Sequence, residues 1–258
     1  MLLSLQALFK ITAMTPKDSF PEIFNGIDKV LVVLAHPDDM EVNCGGLIAR
    51  LTEESKNVRL IATTNGGKGT KDKKINEEAF GATRVNEQIR AGEILGIPQS
   101  QNFNLQIPDG ELETDLKTIE KIVWHIREFK PNIVITHNPE DLIIRFFNKS
   151  TWVNHRDHRN TAEATLDAIY PYSRDANFFP QQLSKDKLTG HKVTKVLVTD
   201  SYTKHELRYF DIGNYLEKKK LALQQHVSAF SPEDAKDYIE ENRIGDGYFE
   251  PLAFYTVY

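Results

Sequence analysis

Two short stretches carry the residue types that could do chemistry. The first, His36-Pro37-Asp38-Asp39, directly follows an apolar run; the second is His155-Arg156-Asp157-His158. A histidine and adjacent carboxylates at the end of a buried strand are costly as passive structure unless they are paired or coordinate a metal ion. Pro37 biases His36 toward extended backbone and fixes its own φ, so the imidazole and the carboxylates after it start from a restricted geometry. If Asp157 and His158 open a helix, His155 lies just outside its N-terminus, three residues from His158, and both rings can address one cavity. His36, Asp39 and His158 would then make a two-histidine, one-carboxylate set with a position left for water, the pattern of catalytic rather than structural zinc. Such a site supports hydrolysis. Two-histidine, one-carboxylate sets also hold iron(II).

Taken singly, these residues have ordinary explanations, since adjacent aspartates cap helices and a histidine-rich stretch can be solvated loop. Their joint occurrence at two strand exits argues for function. His137, at the end of its own strand, is a candidate to support a ligand from behind. His125 reads as mid-helix and exposed, and His191 and His205 have no recognisable context.

The elements that must position these groups are legible as apolar, β-branched runs at Lys29 to Ala35, Val58 to Thr64 and Asn132 to His137, each of strand length. Helical patterns lie between them, at Leu47, Ile48 and Leu51, at Val85, Ile89 and Leu95, and at Ile119, Ile122, Val123, Ile126 and Phe129. Strand and helix in alternation predict an α/β fold, a Rossmann-like, doubly wound, mostly parallel sheet with helices on both faces. A helix is expected over Asp157 to Tyr170, a later strand within Lys192 to Thr199 and a further helix over Tyr215 to Val227. In such a sheet ligands collect outside the carboxyl ends of the strands, which is where both histidine stretches fall.

At 258 residues, with 40% hydrophobic and 27% charged side chains, the chain has the composition of one globular domain. A leader and N-terminal extension are expected over residues 1–27 and the domain over 28–258. Met1 to Phe9 is apolar but short, with no basic residues before it, and Met14 is an alternative start. A net charge of −5 argues against a general nucleic-acid binder, and no stretch approaches the roughly 18 apolar residues that cross a bilayer. Cys44, the only cysteine, excludes an internal disulfide and a multi-cysteine zinc site and fits the reducing cytoplasm. The loop Asn65 to Lys74 is rich in glycine and lysine but lacks the spacing of a phosphate-binding loop, and reads as mobile surface. A nucleotide-binding module is disfavoured because Val32 to Gly46 contains no G-x-G-x-x-G turn. The sequence is compatible with a homo-oligomer.

In order along the chain, several segments resemble the LmbE-like or PIG-L-type metal-dependent N-acetylglucosaminyl deacetylases. Ala35 to Gly46 reads AHPDDMEVNCGG; Arg84 with Glu87, EILGIP from Glu93 to Pro98 and PDGEL from Pro108 to Leu112 follow. PNIVITHNPED from Pro131 to Asp141, the HRDH stretch and His226-Val227-Ser228 complete the series. The resemblance spans Asp28 to Phe254. It implies zinc held by His36, Asp39 and His158, Asp38 as general base, His155 facing the reacting carbonyl, and Asp157 orienting one of these groups. It implies a small-molecule substrate, an N-acetylated sugar conjugate, with an amidase for a larger acyl or thiol conjugate as the alternative. It also directs Arg84 toward substrate, although Arg84 and Glu87 could simply pair on a helix surface. Asp109 has an explanation in turn chemistry, with a hydrogen bond to a sugar hydroxyl as the functional alternative. Either Asp38 or His155 could return a proton to the leaving amine. Leu142 to Asn154 is longer and more aromatic than the family's usual link, so Phe146, Phe147 and Trp152 are candidates to wall the pocket.

Overall fold

The computed structural model describes residues 15–70 and 74–258. The expected leader at Met1 to Phe9 and the alternative start at Met14 lie outside the described residues, as does part of the glycine- and lysine-rich loop. In chain order the elements are α1 (Phe20–Phe24), β1 (Lys29–Leu34), α2 (Asp39–Glu53), β2 (Asn57–Thr64), α3 (Glu77–Ile94) and β3 (Asn102–Ile107). They continue with α4 (Leu116–Phe129), β4 (Ile133–Thr136), β5 (Ile143–Arg145), β6 (Thr151–Val153), α5 (Arg156–Asp167) and α6 (Pro180–Ser184). The last are β7 (Lys195–Val198), β8 (Leu207–Asp211), α7 (Leu216–Leu223), α8 (Pro232–Glu241), β9 (Arg243–Ile244) and β10 (Gly247–Thr256).

The main sheet runs β3-β2-β1-β4-β7-β10-β8. Its first five strands are parallel, and β10 is antiparallel to both β7 and β8. This is the mostly parallel, helix-covered sheet that the alternating pattern predicts. β1 explains why: its residues from Val30 to Leu34 are all buried, because a central parallel strand is covered on both faces. Alternate side chains feed two cores. Val30, Val32 and Leu34 pack with Leu47, Ile48 and Leu51 of α2, while Leu31 and Val33 pack with Ile119, Ile122, Val123 and Ile126 of α4. α4 is capped by Asp115, whose carboxylate accepts from the Thr118 amide, and it ends where Lys130 turns left-handed ahead of Pro131. Phe20, Ile23 and Phe24 of α1 join the first of these cores, so residues before Asp28 pack with the domain. No helix among the described residues is long and apolar enough to cross a membrane.

β3, β8 and β10 have no counterpart among the strands read from sequence. β3 is an edge strand with half-buried residues, and β10 carries Glu250 and Pro251 inside its run, so none shows the continuous apolar signal of β1. The expected helix over Tyr215 to Val227 is shorter, ending at Leu223. Inside this region Lys219 is fully buried. Its Nζ donates to Glu250 Oε1 at 2.7 Å, and Glu250 in turn accepts from the backbone amides of Gly46 and Leu47. The pair ties α7 and β10 to α2. Gly46 lies so close to Ile212 that a Cβ would sit 2.7 Å from it, so its small size serves packing.

His125 is buried, contrary to the exposed position expected from the helical pattern, because its ring lies against Phe103 with centroids 4.6 Å apart. Burial, helped by the nearby Arg59 charge, pushes its pKa from 6.5 to about 4. The folded state therefore binds fewer protons than the unfolded state between these values. The neutral ring's contribution is present above about pH 6.5 and is lost as pH falls through about 4. In His125→Leu the loss of denaturant resistance between pH 7 and pH 4.5 is expected to be smaller than in the parent; equal losses would contradict a buried neutral ring.

Candidate metal centre and active site

The chain lays down β1, β2 and β3 in one direction and then returns to place β4 on the other side of β1. The sheet's switch point thus lies between β1 and β4, and a crevice opens at their carboxyl ends. His36 follows β1, His137 follows β4 and Asp200 follows β7, so three strand exits deliver polar groups to the same place. α5 brings His158 in from its first turn, and Asp39 begins α2, where a carboxylate is favoured by the helix dipole.

Here the two distant stretches meet. His36 Nδ1 lies 3.2 Å from His158 Nε2, His158 Nε2 3.3 Å from Asp39 Oδ1, and His36 Nδ1 3.4 Å from Asp39 Oδ2. Ligand atoms on a tetrahedral ion with bonds of about 2.0–2.1 Å stand roughly 3.3–3.4 Å apart. The donor set therefore fits a divalent ion, and the nitrogens and carboxylate together match zinc or iron(II). Burial pushes the His158 imidazole down to about 4, with the Asp39 charge acting against it, so this ring is neutral near pH 7 and its lone pair is available.

The surroundings of the set are arranged as metal ligands need. The other nitrogen of His36, Nε2, faces Asp109 Oδ1 and Asp157 Oδ2, each at 3.4 Å. Burial alone would lower the pKa of His36, but these carboxylates and Asp39 prevail and raise it. Held from that side, the ring presents Nδ1 to Asp39 and His158. Asp157 is itself fixed by the Gly110 amide, which donates to Oδ2 at 2.6 Å. His137 stands behind Asp39, its Nε2 3.2 Å from Asp39 Oδ2 and its Nδ1 3.4 Å from Asp200 Oδ2, and its ring stacks on His158 at 3.8 Å. Loss of such an outer partner commonly costs about 10–100-fold in metal affinity. Asp157→Asn is expected to weaken zinc retention within that range in a chelator competition; parental retention would show that Asp157 does not hold His36.

Asp38 lines the same cavity but is not one of this set. Its backbone φ is +114°, a conformation that costs a non-glycine residue of order 1–3 kcal/mol and persists only where the surroundings impose it. Arg84 imposes it. The guanidinium donates to Asp38 Oδ2 and to the Pro37 carbonyl, both at 2.7 Å, and to the Gly66 carbonyl at 2.9 Å. Burial raises the Asp38 pKa, the Arg84 charge opposes this, and the net shift is upward. Gly66, at φ +65°, makes room for Arg84, since a Cβ there would sit 2.5 Å from its Nη1. Asn65 to Gly69 is thereby a wall of the site: the Lys68 amide also donates to Asp109 Oδ2 at 3.1 Å.

His155 caps α5, its Nδ1 accepting from the Asp157 amide at 3.2 Å. The proton of the neutral ring therefore sits on Nε2, and the ring stands edge-on to His36 with centroids 4.8 Å apart. Burial, then the His36 charge, lowers its pKa. A neutral N–H donor is accordingly available at the site.

Arg84 and Glu87 do not form a surface pair: both are buried and each has a different partner. Glu87 accepts from the amide and hydroxyl of Ser228 at 3.1 and 2.5 Å, and two residues earlier His226 Nε2 lies 3.2 Å from Glu41 Oε2 with both side chains fully buried. His226-Val227-Ser228 thus clasps the start of the α8 segment to α2 and α3. Cys44 is buried with burial raising its thiol pKa well above the ordinary value, and it is not among the grouped candidate ligands.

These groups form one end of a cavity of about 1470 Å³ lined by His36, Asp38, Asp39, Arg84, Asp109, His155 and His158. Phe146, Phe147 and Trp152 from the β5–β6 hairpin line it as well, with Tyr202, Tyr209, Phe230 and Tyr238. Asp200, the tyrosines and the contact between Glu41 and His226 were not read from sequence, although both partners of that contact lie in the family-like segments. Asp200 had a usable signal, since it follows an apolar strand at its carboxyl end; the tyrosines come from a loop, from β8 and from α8 and had none.

A parallel sheet with a histidine–carboxylate centre at its switch point defines a class of metal-site α/β proteins. The PIG-L family model, described as GlcNAc-PI de-N-acetylase, matches residues 31–169, and the chain belongs to that family. A diacetylchitobiose deacetylase of Thermococcus kodakarensis is 29% identical over 91% of this chain and 79% of its own length. Among solved structures, an N,N′-diacetylchitobiose deacetylase of Pyrococcus horikoshii superposes with a TM-score of 0.75 at 22% identity, over 93% of this chain and 87% of that one. GalB, the 4-carboxy-2-hydroxymuconate hydratase of Pseudomonas putida, shares the fold with a TM-score of 0.68 at 18% identity, over 90% and 97% of the two chains. A fold shared with a hydratase leaves the reaction to be argued from the site.

Proposed function

We propose that this chain is a metal-dependent N-deacetylase that removes the acetyl group from the amino nitrogen of an N-acetylglucosamine-type sugar conjugate, using zinc held by His36, Asp39 and His158, with iron(II) as the alternative ion. The observation that carries the reading is the convergence of those three side chains beside Asp38, a strained carboxylate with a raised pKa that is not one of them. The deacetylase relative over most of the chain supports the same reading. A divalent ion at the site supplies Lewis acidity, which polarises an amide carbonyl and acidifies water.

The chain's own groups do the rest. Asp38 takes the proton of the attacking water; its carboxyl, pushed up by burial, can hold that proton and return it to the departing amine nitrogen as the C–N bond breaks. Arg84 keeps Asp38 in place and away from the ligand set. His155 donates its Nε2 proton in a hydrogen bond to the amide oxygen as negative charge develops there, a contribution of about 2.7–4 kcal/mol where comparable donors have been removed. Asp109 and Asp157 hold His36. The products are acetate and a free amino sugar. We assign the protein to the cytoplasm, in keeping with its single cysteine.

Free-amine release from a panel of N-acetylated sugars, after chelation and with zinc restored, tests the reading. Zinc-dependent release of amine with stoichiometric acetate is expected. Amine release that is indifferent to chelation, or none from any N-acetylhexosamine in the panel, would overturn it.

A further inference from the structure

Beyond its polar end the cavity has a wall of different character, built on the β5–β6 hairpin. Ligand pockets usually measure about 300–1,000 Å³, and this one, at about 1470 Å³, is larger. Next to the ligand set, Trp152 stands edge-on to His158 with centroids 5.3 Å apart. A second aromatic group lines the same cavity: Phe146 packs on Tyr202 at 5.1 Å, Phe147 on Tyr202 at 5.3 Å, and Phe147 stacks toward Tyr209 at 6.5 Å. Phe147 keeps 50% of its surface exposed and Trp152 38%, so these rings support one another without being covered.

The same wall offers little to a polar ligand. At the hairpin tip the Ser150 amide and hydroxyl both donate to Asn148 Oδ1, at 2.9 and 2.6 Å, and are engaged within the tip. The charged lining residues Glu241 and Arg243 belong to the segment at the end of α8, not to this wall. A carboxylate seated on the ring faces would lose water without gaining a charged partner, whereas an apolar group would exchange water for aromatic contact.

Resting on the deacetylase reading, we infer that the substrate carries an apolar aglycone, aromatic or hydrocarbon, on its N-acetylglucosamine unit, seated on the wall formed by Phe146, Phe147 and Trp152. The sugar's acetamido group then lies at the polar end and the aglycone runs along the β5–β6 hairpin. Phe147, half-exposed and outside the ligand set, is the specificity-determining residue.

The test compares kcat/KM for deacetylation of free N-acetylglucosamine, N,N′-diacetylchitobiose, the phenyl glycoside and an alkyl series from methyl to octyl. Efficiency is expected to rise along the alkyl series, by up to about fourfold per fully buried methylene, and to favour octyl and phenyl glycosides at least about tenfold over both the free sugar and the disaccharide. In Phe147→Ser the octyl-to-methyl ratio is expected to fall toward one. A flat alkyl series, a preference for the disaccharide, or an octyl-to-methyl ratio unchanged by Phe147→Ser overturns this inference and leaves the deacetylase reading standing. Absence of amine release from every sugar overturns both.

Discussion

Asp38→Asn is expected to keep its metal and lose amide hydrolysis. Asparagine has nearly the same shape, tolerates positive φ better than most residues, and its side-chain oxygen can still accept from Arg84, so the strained turn at φ +114° and the bond to Arg84 Nη2 have no reason to collapse. His36, Asp39 and His158 are untouched. What disappears is, among the described residues of the site, the one carboxyl whose pKa is raised and which stands outside the ligand set. General acid–base groups contribute about 10²–10⁴-fold, and Asp38 is assigned two proton transfers, so a loss of about 10⁴-fold in kcat is expected, close to 5.5 kcal/mol of barrier. Zinc content measured on the same preparation should stay at the parental level. Turnover within a few-fold of the parent would remove Asp38 as the base.

The second large effect concerns the ligand set. His36→Ala and His158→Ala each take away one nitrogen of a three-donor site. Neither nitrogen has a ready substitute in place, since His137 is engaged between Asp39 and Asp200 and Asp109 and Asp157 face the far nitrogen of the His36 ring. Loss of a direct ligand should exceed the about 10–100-fold cost of losing an outer partner. Both variants are therefore expected to emerge from gel filtration without zinc and without hydrolysis, while Asp157→Asn retains part of each. A His158→Ala protein that carries zinc at the parental level would place the ion elsewhere.

Much of this arrangement is legible in the chain because it depends on strand exits. A buried parallel strand announces itself by its apolar run, and whatever polar residues follow it must fall at the carboxyl edge of the sheet; His36 after β1 and His137 after β4 could be placed by that logic alone. The order of the family-like segments then paired the first stretch with His158. Burial of surface-looking helical residues was harder to see. Arg84, Glu87 and His125 sit at positions that a helical pattern assigns to solvent, and they are buried because loops and the C-terminal segment fold over them: Gly66 over Arg84, Ser228 over Glu87, and Phe103 against His125. Those covers lie outside the helices they bury, 18 residues away for Gly66 and 141 for Ser228, and no local pattern encodes them. The edge and antiparallel strands were hidden for a related reason, since β10 interrupts its apolar run with the Glu250 that neutralises buried Lys219.

The proposed chemistry depends on one divalent ion being held jointly by His36 after β1, Asp39 of α2 and His158 of α5. Crystals of the intact chain soaked in zinc, with data collected at the zinc absorption edge, test this most directly. The expected result is a single strong anomalous peak in the cavity within bonding distance of His36 Nδ1, a carboxylate oxygen of Asp39 and His158 Nε2. Absence of that peak with the two imidazoles directed apart, or a peak held only by other side chains, would contradict it.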